Sequence, residues 1–67
     1  MYYVDSIQNK DILVNSINGD RYWVVKVTGV GKVTGAAITN ENILVVTGEK
    51  GKNKMYDLGL KKLIKTF

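Results

Sequence analysis

The sequence predicts an all-β, mainly antiparallel fold. Three observations carry that expectation. Stretches of five to eight residues rich in Val, Ile, Tyr and Trp recur along the chain, and such residues fit a pleated, half-buried surface. Gly and Asn break these stretches at short intervals, where turns need backbone conformations that other residues resist. Finally, the chain resembles itself when shifted by 31 residues.

The segment Tyr-Tyr-Val-Asp-Ser-Ile, residues 2–7, is the first strand candidate. Residues 11–17 (DILVNSI) follow and lead into Asn18-Gly19, a dipeptide that favours a two-residue type I′ hairpin turn because both central residues take positive φ. Residues 21–28 (RYWVVKVT) form the return strand, with Trp23, Val25 and Val27 on one face and Tyr22, Val24 and Lys26 on the other. Gly29, Gly31 and Gly35 punctuate the next stretch, so residues 32–39 are expected as a strand with a bulge or bend at Gly35. Residues 40–42 (NEN) make a turn. Residues 43–47 (ILVVT) are almost wholly apolar and read as a central strand covered on both faces. A polar loop, residues 48–53, precedes a strand at residues 54–58.

Two readings of the C-terminus are open. Leu60, Leu63, Ile64 and Phe67 have helical spacing, with Lys61, Lys62 and Lys65 opposite, which would give a short C-terminal helix. The alternative is a strand, with Leu63, Lys65 and Phe67 on one side. Gly59 favours the strand.

In the 31-residue register Ile7 falls on Ile38, Asn9 on Asn40, Ile12 on Ile43, Leu13 on Leu44 and Val14 on Val45: five identities over positions 7–14. With one residue inserted near Gly19 and one removed near Thr28, Val27 meets Leu58, Gly29 meets Gly59 and Lys32 meets Lys62. A single domain over residues 1–67 is therefore expected, built from a duplicated β-hairpin unit of about 31 residues, spanning about 4–34 and 35–67. The near-continuous Ile43–Val46 run calls for a barrel-like closure, a two-sheet sandwich or a subunit interface.

The second unit, AITNENILVVTGEKGKNKMYDLGLKKLIKTF, resembles one blade of a β-propeller of the tryptophan–aspartate repeat or quinoprotein-like kind. A strand, a short turn, an apolar strand ending in Thr47-Gly48, a charged turn and a strand with Tyr56-Asp57 follow in blade order. The first unit is similar, with Tyr22 and Trp23 where blades carry aromatics. Tyr56-Asp57 stands in for Trp-Asp in one unit and Val25-Lys26 in the other, and there is no Gly-His pair. The resemblance implies a propeller-like, non-catalytic binding scaffold and names no ligand. Two blades cannot close a ring, because propellers have four or more. Three copies of the chain would supply six.

Composition narrows the function. Ten Lys+Arg against six Asp+Glu give a net charge of +4 over 67 residues, with no His, Cys or Pro. Without His and Cys the Ser-His-Asp and Cys-His arrangements and the usual zinc and iron–sulfur sites are gone. Asp5, Asp11, Asp20, Glu41, Glu49 and Asp57 are scattered singly. No enzyme, no cofactor and no metal site is expected. A lone core of this size is marginal, and with disulfides and metals absent, homo-oligomerisation is the remaining source of extra stability. No signal peptide or membrane-spanning apolar run is seen, so a cytoplasmic location is expected. Lys-, Asn-, Ile- and Tyr-rich usage suggests AT-rich coding, as in many phages and some bacteria.

Lys50, Lys52 and Lys54 form a basic cluster that could meet a polyanion, and Tyr22 and Trp23 could offer stacking surfaces. These five are the candidate binding residues, for a protein partner or, alternatively, a single-stranded nucleic acid bound by a small basic barrel. Only Arg21 is available for bidentate phosphate contacts. The string Thr-Gly-Val-Gly-Lys-Val-Thr-Gly, residues 28–35, lacks the spacing of a phosphate loop, so its glycines are expected at turns.

Overall fold

A computed structural model describes residues 1–19 and 22–67, and the side chain of Tyr22 lies outside the described set with Asp20 and Arg21. Seven strands follow in order: β1 (Tyr2–Gln8), β2 (Asp11–Ser16), β3 (Tyr22–Lys26), β4 (Val33–Ile38), β5 (Ile43–Gly48), β6 (Asn53–Asp57) and β7 (Lys62–Thr66). They form two antiparallel meanders, a three-stranded sheet β1-β2-β3 and a four-stranded sheet β4-β5-β6-β7. The sheets pack face to face around one core, and β1 lies alongside β4.

Alternation decides which side of each strand enters that core. Ile12 and Val14 of β2, with Val25 of β3 and the following Val27, face inward; so do Leu44 and Val46 of β5, with Tyr56 of β6 and the following Leu58. All eight are buried. Trp23 pairs across from Val14 on the same inner face and packs against the core. The face predicted from Trp23, Val25 and Val27 is thus the one that the second sheet covers.

The link between the sheets is anchored rather than free. The Asn9 and Lys10 carbonyls, in the turn joining β1 to β2, accept hydrogen bonds from the Val33 and Val27 N–H groups, both at 2.9 Å. Val30 is fully buried, and its carbonyl accepts from Lys50 N–H at 3.3 Å. Gly48 lies so close to Val30 that a Cβ there would collide with the Val30 carbonyl and side chain. Gly29 and Gly31 take φ of 79° and 75° in this link, the turn role expected of them.

Three expectations need correction. The sheets do not close into a barrel; they stack as two open layers. At the C-terminus the favoured strand reading holds: β7 pairs with β6, and Phe67 and Asn53 exchange backbone hydrogen bonds at 2.8 Å. Lys61, at φ 54°, turns the chain sharply before β7, and a helix cannot pass through that conformation. The Asn18-Gly19 pair is not a type I′ turn: of the two only Gly19 has positive φ, 75°, and its N–H bonds to the Ser16 carbonyl at 3.0 Å, while Asp20 and Arg21 lie outside the described residues. Finally, the apolar β5 strand is sealed on one face only: Leu44 and Val46 are buried, while Ile43 and Val45 are half-buried.

Three strand pairs shift register. The shift expected at Gly35 lies between Val33 and Gly35 of the β4–β5 pair, a second lies between Met55 and Tyr56 of the β6–β7 pair, and a third, between Val4 and Ser6, was not expected. It makes Asp5 the extra residue, and Asn15 Nδ2 donates to its carboxylate at 3.2 Å.

Candidate interaction surfaces

Because each strand alternates, burying one face of each sheet leaves an opposite face outward. On the three-stranded sheet that outward face carries the cross-strand row Ser6, Leu13 and Val24. Leu13 is half-buried and Val24 is 40% exposed. Beside this row lie Tyr3, 43% exposed, and a second row in which Gln8, Asp11 and Lys26 are paired. Ser6, Gln8, Asp11, Leu13 and Val24 line a shallow depression of ≈ 130 Å³. Its floor is aliphatic and its one ionisable group is Asp11.

On the four-stranded sheet the outward row is Ala37, Val45, Met55 and Lys65, and the adjoining row is Ile43, Asp57 and Lys62. Ile43, Val45 and Met55 are all half-buried. Lys65 Nζ lies 5.6 Å from the centre of the Phe67 ring, two residues on along the same face. β7 itself is exposed at every residue, with Leu63 and Ile64 prominent.

Of the five predicted binding residues, the side chains of Trp23, Lys50, Lys52 and Lys54 are described. Lys50 and Lys52 are exposed in the β5–β6 turn, at its tip. Lys54, the second residue of β6, is half-buried, and its Nζ reaches toward Gly29 in the link between the sheets. Trp23 is not a free stacking platform. It approaches Tyr56 edge-to-face, with ring centroids 6.4 Å apart and an interplanar angle of 84°, which is a favoured aromatic geometry in a core. Burial pushes the Tyr56 phenol above its ordinary value of 10.0. The side chain of Tyr22 is outside the described residues. What the sequence reading missed is the outward pair of aliphatic rows. Their signal was present in the alternation at Leu13, Val24, Ile43 and Val45, but alternation alone does not say which face a second sheet will cover.

Among the described residues no group of three or more carboxylates is placed to hold a metal ion. Among the same residues no helix is long and apolar enough to cross a membrane. Comparison with protein-family models, curated proteins and solved structures finds no match to the chain.

Proposed function

We propose that this chain is a non-enzymatic assembly module, a protein-interaction scaffold that works as a homo-oligomer, with each sheet serving as a blade-like unit of a larger ring. One observation carries the reading: both sheets of this small body turn a half-buried aliphatic row outward, so the apolar face of each layer is doubled. A chain of this size has a marginal core, and covering those rows would add apolar burial at roughly 25 cal/mol per Å². The 31-residue repeat and the resemblance of each unit to a propeller blade fit the same picture. The cytoplasm is the compartment proposed for it, and a phage source fits the residue usage.

Sedimentation equilibrium at tens of micromolar tests this directly. A discrete oligomer of two or more copies is the expected result, and a single monomeric species overturns the reading.

Exposed Lys50 and Lys52, with the +4 charge, favour a second reading in which the chain binds single-stranded nucleic acid. Binding to random-sequence single strands that falls steeply with added salt would support it. No binding at low salt would remove it.

A further inference from the structure

Within the chain, one kind of face always meets another kind. Ile12 and Val14 of the first sheet point at the second, and Leu44 and Val46 of the second point back. In the 31-residue register, Ile12 and Val14 correspond to Ile43 and Val45, which lie on the outward face of the second sheet. Leu13, on the outward face of the first sheet, corresponds to Leu44, which lies on the inward face of the second. The two sheets are therefore stacked in the same sense, and the contact between them is heterologous, not two-fold.

We propose that a second copy of this chain repeats that contact, its outward Leu13–Val24 face docking on the outward Ile43–Val45–Met55 face of the first. This rests on the homo-oligomer reading above and specifies its interface. Charge supports the pairing. Among the described residues around Leu13 and Val24 the majority charge is acidic, Asp5 and Asp11 against Lys26. Around Ile43, Val45 and Met55 it is basic, Lys62 and Lys65 against Asp57. Opposite patches steer and orient an encounter, and pairing like with like would bring two acidic or two basic faces together. Head-to-tail contacts of this kind close into rings when the rotation allows, and otherwise extend.

The test uses Val24→Lys and Val45→Lys, each placing a charge on one face only, with sedimentation velocity as readout and circular dichroism to confirm folding. Each variant alone should be monomeric. An equimolar mixture should form dimers and nothing larger, because one intact face of each kind remains. If one variant assembles as the unaltered chain does, the contact is two-fold and the proposal fails. If both assemble normally, another surface such as the β7 edge is responsible, and the proposal fails while the homo-oligomer reading stands. If the unaltered chain is itself monomeric at tens of micromolar, both fall. Should either Lys variant not fold, Val24→Thr and Val45→Thr keep the shape; each should raise the dissociation constant at least tenfold, and no change in either counts against the interface.

Discussion

Tyr56 shows how much a single side chain does here. Its ring closes the seam between the sheets against the edge of Trp23, and its phenol is held above the ordinary 10.0 by burial alone. The phenol in the unfolded chain ionises near 10, while the folded one keeps its proton to higher pH. The unfolded state therefore binds fewer protons in that window, and stability falls as pH rises. Urea midpoints should be constant for this group below about pH 10 and drop above it, and Tyr56→Phe should flatten that alkaline drop. An unchanged drop in the Phe variant would show that other groups cause it. In the sequence Tyr56 stood out only as the aromatic of the Tyr56-Asp57 step. Only packing against the other sheet settles its place, because a pairing across 33 positions leaves no local pattern.

At the scale of elements, most strands were legible because turn chemistry brackets them. Asn42 takes φ 62°, its carbonyl accepts from Leu58 N–H at 3.1 Å, and Thr39 Oγ1 accepts from the Glu41 and Ile43 N–H groups. A β-branched residue at Asn42 would meet the left-handed penalty of roughly 1–2 kcal/mol. Asn42→Val should lower stability by about that amount, whereas Asn42→Gly should change it little; equal losses would place the cost in the side chain instead. The C-terminus was ambiguous for a physical reason. Leu60, Leu63, Ile64 and Phe67 satisfy a helical spacing by coincidence, but β6 offers an unpaired edge, and the Asp57 carboxylate accepts from Leu60 N–H at 3.0 Å to start the turn back. An extra residue opposite Met55–Tyr56 then breaks β7's own alternation, so neither periodic template describes it well. The Asn9-Lys10 turn was missed because it contains no Gly; Asn9 at φ 59° supplies the positive angle.

At the scale of the whole molecule, ten buried apolar side chains form one cluster drawn from both sheets and the link between them. Neither sheet keeps a core of its own when the other is removed, so the two layers should unfold as one unit. The fluorescence of Trp23, the chain's single tryptophan, reports the seam, and far-ultraviolet circular dichroism reports the strands. Their denaturation curves should coincide; a tryptophan transition preceding loss of the strands would mean that the layers separate first. The sequence indicated two similar units and a need to cover β5. It did not indicate open layers over a barrel, since both solutions bury the same Leu44 and Val46.

The anchored link has a consequence for exchange between copies. Trading a whole sheet with a neighbour requires a hinge, and the only segment joining the sheets is pinned by Asn9, Lys10 and Lys50, with Val30 inside the core and Gly48 pressed against it. Opening that hinge would expose the centre of the molecule. In the proposed assembly, copies would therefore add and leave as intact bodies, and dilution should dissociate them without entanglement.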